Sequence, residues 1–151
     1  MNYMKLAIDK ARGTMLNDFG GPFGAVIVKD KEVVAIASNS VLRDNDPTAH
    51  AEVNVIREAC KKLNTYDLSG CIIYTTGYPC PMCLSAIMWA NIKEIYYGTD
   101  LRDAEKIGFR DDFIYNFIRN GSTDVLSLTQ INRDECLILF DEYENLNKKI
   151  Y

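Results

Sequence analysis

The hydrophobic and polar positions of the chain follow two different periods. Between Met4 and Met15, apolar residues recur at helical spacing, which predicts a first helix over residues 2–17. The segment AVIVKDKEVVAIAS then carries the short apolar runs of two strands, joined by a tight polar turn at Lys29 to Lys31. The change of period predicts a helix followed by two strands.

A second helix is predicted after an irregular polar loop. Asp46 suits the N-cap position and Pro47 the first helical position, which gives the helix a defined start. Val53, Ile56 and Cys60 then fall on one buried face.

The rest of the chain continues to alternate between strand and helix patterns. In order, the segments are a strand CIIYTTG, a helix PMCLSAIMWAN, a strand EIYYGTD, a short helix DDFIYNFIRNG ended by Gly121, a strand VLSLTQI and a helix RDECLILFDEYENLNKK. Strands that alternate with helices predict an α/β sandwich with a sheet covered on both faces.

The composition fits one globular domain. Of 151 residues, 48% are hydrophobic and 25% charged, and no repeat or linker is visible. The net charge of −4 disfavours a broad nucleic-acid interface, which needs a basic face. No signal peptide is expected in MNYMKLAIDKARG, and no apolar run is long enough to span a membrane. Five cysteines, an odd number, predict a reduced, cytoplasmic protein without a disulfide framework.

Two of these cysteines, Cys80 and Cys83, lie in PCPMC at the start of a predicted helix. Pro81 suits the first helical position, which makes Cys80 the N-cap. Backbone N–H groups and the helix dipole lower the pKa of thiols placed there and favour the thiolate, the form that binds metal. The remaining cysteines are assigned to packing: Cys60, Cys71 and Cys136.

His50, the single histidine, lies two residues ahead of Glu52 at another predicted helix start. Helix starts that follow strands of one sheet converge at one edge, so an imidazole and two thiolates can surround a zinc ion. Three protein ligands leave a position for a water whose pKa falls to roughly 7, and Glu52 then serves as general base and acid. HAE followed by PCPMC also matches the H-x-E…P-C-x-x-C signature of zinc deaminases. The alternatives are a capping or core histidine and a redox C-x-x-C.

The chain resembles the cytidine deaminase superfamily in NDPTAHAEV and PCPMC, and within it the bacterial guanine deaminases. The resemblance runs through GGPFGAVIVKD, PCPMCLSAIMWA and DAEKIGFRDDFIY to the final tyrosine. DPTAHAE is shared with bacterial tRNA adenosine deaminases, whereas Phe23 in GGPFG, the GFRDDFIY segment and the terminal NKKIY separate the two groups. The resemblance implies a three-layer α/β/α sandwich with a mixed, mostly five-stranded sheet. It also implies zinc-dependent hydrolysis of guanine to xanthine and ammonia.

Roles for single residues follow from the same resemblance. His50, Cys80 and Cys83 would bind one zinc ion, Glu52 would shuttle protons, and Asp111 would be a second acidic group for proton transfer. Contacts to a purine base are implied for Phe23, Asn39, Ala51, Trp89 and Tyr151. As alternatives, Phe23 and Trp89 suit core aromatics, and Asp111 suits an N-cap.

The resemblance further implies a homodimer of one deaminase domain, residues 1–151. The C-terminal segment, about 121–151, would be exchanged across the dimer so that Tyr151 helps to close the pocket. Tyr78 departs from the family pattern, in which a glutamate precedes the proline, and its bulkier, neutral ring alters that side of the predicted pocket.

Other functions fit parts of the pattern. The substrate of such a deaminase could instead be cytosine, guanosine or ammeline. A tRNA adenosine deaminase predicts a basic surface and tail, whereas RDECLILFDEYENLNKKIY is mixed in charge. If the chain were instead a non-enzymatic zinc module, we would expect a fourth protein ligand, and Glu52 would have no function. The expected partners are a purine base and a second copy, with neither nucleic acid nor membrane.

Overall fold

The computed structural model describes residues 2–121 and 124–151, which fall into two units, Met1–Asp112 and Phe113–Tyr151. Residues 122 and 123 of the predicted exchanged segment lie outside the described residues. The helices of the first unit are α1 (Tyr3–Leu16), α2 (Val41–Asp44), α3 (Ala51–Leu63), α4 (Pro81–Trp89) and α5 (Leu101–Lys106). Its strands are β1 (Gly24–Lys29), β2 (Glu32–Ser38), β3 (Ile72–Gly77) and β4 (Glu94–Thr99).

The four strands form one mixed sheet in the order β2-β1-β3-β4. β1 is antiparallel to both β2 and β3, and β4 is parallel to β3. Asp30 and Lys31 connect β1 to β2 with φ angles of 51° and 67°, which is the backbone of a tight hairpin turn. The predicted helix over residues 2–17, the two strands and their turn are confirmed.

The sheet is covered on both faces because the residues of β1 alternate between them. Ala25 and Ile27 pack into a core with the helices α3 and α4. Val26 and Val28 point the other way and pack against Ala7 of α1. The result is the expected three-layer α/β/α arrangement, with both cores inside the first unit.

The predicted fifth strand, VLSLTQI, is wrong for the described residues. Residues 125–131 contain no strand, and Leu128 and Ile131 are 77% and 74% exposed. Alternating apolar residues permit a strand, but a strand forms only where a neighbouring edge accepts its hydrogen bonds. The sheet therefore has four strands, and β4 forms one of its edges.

The predicted start of the second helix is also wrong. α3 begins at Ala51 with His50 as its N-cap, not at Pro47. The Asp46 carboxylate instead accepts hydrogen bonds from the N–H and hydroxyl of Thr48, at 2.8 and 2.7 Å. This local turn competes with helix capping, and its consequence is that His50 stands at the helix end.

α6 (Asp112–Asn120) begins at the last residue of the first unit and is followed by Gly121 at a φ of 63°, which confirms the predicted stop. α7 (Arg133–Asn145) covers most of the last predicted helix. Neither helix buries any of its residues. Cys136 lies on α7 and is exposed, which contradicts its assignment to packing, whereas Cys71 is buried. Over the described ranges, no helix is both long and apolar enough to cross a membrane.

Candidate active site

Two helix starts bring the predicted metal ligands together. His50 is the N-cap of α3 and Cys80 is the N-cap of α4, both with extended backbone. Neither side chain bonds to its own helix as a cap, so both are available to a ligand. Pro81 occupies the first turn of α4, as predicted, and Cys83 lies one turn further and is fully buried.

The geometry of these three side chains fits a zinc ion. The Nδ1 atom of His50 lies 3.7 Å from Cys80 Sγ and 3.6 Å from Cys83 Sγ, and all three atoms lie within 4.8 Å of one another. Zinc bonds of ~2.3 Å to sulfur and ~2.0 Å to nitrogen at tetrahedral angles place N and S about 3.6 Å apart. In the described parts of the chain, no fourth ligand from a histidine, cysteine or carboxylate side chain joins these three atoms. The fourth ligand that a structural zinc module predicts is therefore not found there.

The protonation states of His50, Cys80 and Cys83 depend on one another. Hydrogen bonds from the Cys83 thiol and from His50 lower the pKa of Cys80, so Cys80 holds the negative charge. The hydrogen bond to Cys80, together with burial, raises the pKa of Cys83. The hydrogen bond to Cys80 also raises the pKa of His50. The thiol whose pKa is lowered therefore lies beside the imidazole.

Glu52 lies next to this group on the first turn of α3. Its side chain is only 7% exposed, and its Oε2 accepts a hydrogen bond from Cys83 Sγ at 3.4 Å. Burial raises the pKa of the Glu52 carboxyl. A buried carboxyl with a raised pKa is suited to accepting a proton and returning it.

A cavity of about 600 Å³ opens onto these residues, entirely within the first unit. Phe23, Tyr78 and Phe109 give it aromatic walls, and Phe23 and Phe109 meet edge to face at 5.0 Å. Gly21 packs so closely on Phe109 that a Cβ would lie 2.9 Å from its ring. Tyr78 is fixed by a hydrogen bond from its N–H to the Thr99 carbonyl.

Polar groups complete the cavity wall. Asn39 is 6% exposed, and its Oδ1 accepts the N–H of Val41 at 3.1 Å, so the Nδ2 amide remains for a ligand. A Cβ at Gly20 would collide with Asn39 Oδ1, so only glycine permits this approach. Asp111 also lines the cavity, and burial, followed by the nearby charge of Cys80, raises the pKa of its carboxyl.

The structure thus brings most of the predicted site residues to one cavity, with Cys83 directly behind it: Phe23, Asn39, His50, Glu52, Cys80, Cys83 and Asp111. Ala51 is fully buried between His50 and Glu52, and its side chain does not line the cavity. Tyr151 belongs to the second unit and is 83% exposed.

Trp89 does not line the cavity, and it is 77% exposed. It ends α4 nine residues after Cys80 and six after Cys83, so the helical rise places it about 13 Å and about 9 Å along the helix axis from these two ligands. Phe109 was not predicted as a wall residue, although it lies in the same GFRDD motif as Asp111.

Comparison with known proteins identifies similar chains. The family model for the cytidine and deoxycytidylate deaminase zinc-binding region matches residues 1–99. The guanine deaminase of Bacillus subtilis (strain 168) is 45% identical over 151 residues, covering 99% of this chain and 97% of that protein. A crystal structure of guanine deaminase from Bacillus subtilis superposes with a TM-score of 0.95 at 45% identity, covering 100% of this chain and 99% of that chain. The tRNA-specific adenosine deaminase of Aquifex aeolicus (strain VF5) is 47% identical over 77 residues, only 51% of either chain.

Proposed function

The chain belongs to the cytidine and deoxycytidylate deaminase family, and from that premise we propose that it hydrolyses guanine to xanthine and ammonia. The assignment of guanine as the substrate rests on the extent of the similarity to known proteins. A guanine deaminase is 45% identical over 99% of the chain, whereas a tRNA-specific adenosine deaminase that aligns over 98% of the chain is only 30% identical, and one that is 47% identical aligns over only 51%. The residues that bear the chemistry are common to deaminases, so the substrate must be recognised by the rest of the chain.

We assign the zinc site to His50, Cys80 and Cys83, because their ligand atoms have the spacing of a tetrahedral site with one open position. A zinc ion held there would supply a water molecule that ionises near neutral pH. The three ligands would hold the ion beside Glu52, since Cys83 contacts both His50 and the Glu52 carboxylate.

The carboxyl of Glu52 carries protons through the reaction. It accepts a proton from water as the oxygen bonds to C2 of guanine, and it delivers that proton to a ring nitrogen. The carboxylate then takes the remaining proton from the new C2 hydroxyl and passes it to the exocyclic nitrogen, so that the C–N bond breaks with its electron pair on ammonia and the C2 oxygen becomes the carbonyl of xanthine. Asp111 lines the same cavity and has a raised pKa, so it can hold a proton for the departing amine.

Recognition of the flat base is assigned to the aromatic walls and to Asn39. Phe23 and Phe109 offer apolar ring surface to the purine. Guanine presents two acceptors, O6 and N7, on one edge. The Nδ2 amide of Asn39 is a donor and matches that edge, because its Oδ1 is already bound to Val41.

We also propose that the protein acts as a homodimer. The described part of residues 113–151 buries no side chain, and Phe140 is 71% exposed on α7. Short helices depend on the burial of an apolar face for their stability. A second copy of the chain would supply that cover, and the C-terminal segment of one copy, ending in Ile150 and Tyr151, would close the cavity of the other.

A substrate panel tests the proposed function. The purified, zinc-loaded protein should release ammonia from guanine with a higher kcat/KM than from guanosine, cytosine or ammeline. An RNA stem-loop carrying the adenosine that tRNA deaminases edit should remain unmodified. Preferred deamination of that RNA, or of cytosine, would assign the site to another member of the family.

A further inference from the structure

Asn54 has a hydrogen-bond pattern that the reaction itself does not require. It lies on α3, one turn after His50, and it does not line the cavity. Its Nδ2 lies 2.9 Å from the Ser38 carbonyl, 2.9 Å from Ser40 Oγ and 3.3 Å from the Ala49 carbonyl. The two N–H groups of a single side-chain amide are therefore shared among three acceptors, two at the end of β2 and just after it and one just before α3.

These acceptors flank two residues of the active site. Ser38 and Ser40 are the neighbours of Asn39 in the sequence, and Ala49 directly precedes His50. The main chain adds two links to this arrangement. Ser40 N–H donates to the Ala49 carbonyl, and Asn54 N–H donates to the His50 carbonyl, both at 2.9 Å. The segment that carries Asn39 is thus tied to the helix that carries the catalytic carboxylate.

The choice of asparagine at this position is not explained by the helix. Asparagine is a poorer helix former than alanine or leucine, because its amide competes for backbone groups. Here the amide of Asn54 bonds to groups near Asn39 and to the carbonyl that precedes His50, instead of to its own helix.

We propose that Asn54 is a positioning residue that fixes Asn39 relative to the centre formed by His50 and Glu52. This inference rests on the proposed function, in which Asn39 binds the base while Glu52 transfers the protons. Movement of Asn39 would tilt the base away from the catalytic carboxylate. A misplacement of 1 Å can cost a reaction about 100-fold in rate.

Two variants remove the donors of Asn54 in different ways. Asn54→Asp keeps the shape but places a carboxylate against the Ser38 and Ala49 carbonyls, and Asn54→Leu keeps the approximate size without polar atoms. The matched control is Asn17→Asp, because Asn17 Nδ2 donates to the Gly13 carbonyl at 2.7 Å at the exposed end of α1. Both Asn54 variants should keep zinc and lose about 10- to 100-fold in kcat/KM for guanine, whereas the control should match the wild type.

A double-mutant cycle separates positioning from general destabilisation. In an Asn39→Ala background the residue that Asn54 positions is gone, so Asn54→Leu should have little further effect on kcat/KM. Losses that multiply across the two sites would overturn the proposal. Loss of zinc in the Asn54 variants would also overturn it, because Asn54 would then support the metal site.

Amide hydrogen exchange gives a readout that does not depend on guanine turnover. The N–H groups of Ser40 and Val41 should exchange faster in both Asn54 variants, while those of the central strand β1 keep their protection. Unchanged exchange at Ser40 and Val41 would refute the proposed positioning role of Asn54, even in a fully active enzyme. If the wild type does not deaminate guanine, the proposed function fails, and the exchange experiment still decides whether Asn54 holds the loop.

Discussion

Replacing Glu52 with glutamine tests the assignment of the proton carrier. The change keeps the shape of a side chain that is 7% exposed, but an amide cannot accept a proton and return it. General acid–base groups contribute ~10²–10⁴-fold, which corresponds to about 3–5 kcal/mol of activation free energy. We expect a loss at the upper end, because Asp111 is the only other carboxylate that lines the cavity within the described residues.

The assay measures xanthine formation from guanine under saturating conditions, with zinc content determined on the same sample. Glu58→Gln is the matched control, because Glu58 lies on the exposed face of the same helix. Glu52→Gln should retain zinc, whereas the control should keep full turnover. A Glu52→Gln variant with near-normal kcat would refute the role of this carboxylate.

The same variant makes a prediction for stability against pH. Burial raises the pKa of Glu52, so its contribution to stability is fully present below the pKa of the unfolded chain and is lost as the pH rises through the folded value. Glutamine stays neutral throughout. In zinc-free protein the variant should therefore melt at or above the wild-type temperature at neutral pH, and the difference should shrink on acidification. A variant that melts lower at neutral pH would contradict this reasoning.

Three further predictions concern the metal, the second acid and the chain end. Cys83→Ala should lose zinc in metal analysis and activity in kinetic assays, whereas the exposed Cys136 should tolerate the same change. Full zinc occupancy in Cys83→Ala would mean that the ligands are misassigned. Asp111→Asn should lower kcat without lowering Tm at neutral pH, because burial raises the pKa of Asp111 and its ionisation opposes folding as the pH rises through that value. A lower Tm with unchanged kcat would instead assign Asp111 to capping of α6. Removal of Ile150 and Tyr151 should preserve zinc but raise KM and lower kcat, and unchanged kinetics, or a monomeric wild type in sedimentation, would exclude the exchanged lid.

The metal group could be predicted from the sequence because its signals are local. Proline after Cys80 marks a helix start, and Cys83 follows within one turn, so both thiols are placed by the helix itself. His50 was assigned to a helix start as well, although the boundary was predicted four residues too early. The predicted position of His50 near the metal group is unaffected by that error, since a histidine at the N-cap of α3 lies at the same edge of the sheet as the start of α4.

The remaining differences concern contacts that no local pattern encodes. The segment 125–131 has the alternation of a strand, but pairing depends on a partner edge that the sequence does not specify. The contact of Trp89 with the base is implied by the family resemblance alone, and Trp89 lies at the far end of α4 and does not line the cavity of its own chain. Phe109 lines the cavity because Gly21 and Phe23, about 86 residues earlier in the chain, pack against its ring, and no local pattern encodes such a distant contact.

The products of the wild-type reaction test the central claim most directly. Zinc-loaded protein is incubated with guanine in water enriched in heavy oxygen, and xanthine and ammonia are quantified together. The account predicts equimolar products, with one solvent oxygen incorporated at C2 of xanthine. Guanine left unchanged by folded, fully zinc-loaded protein would contradict it, as would xanthine formed without the solvent label.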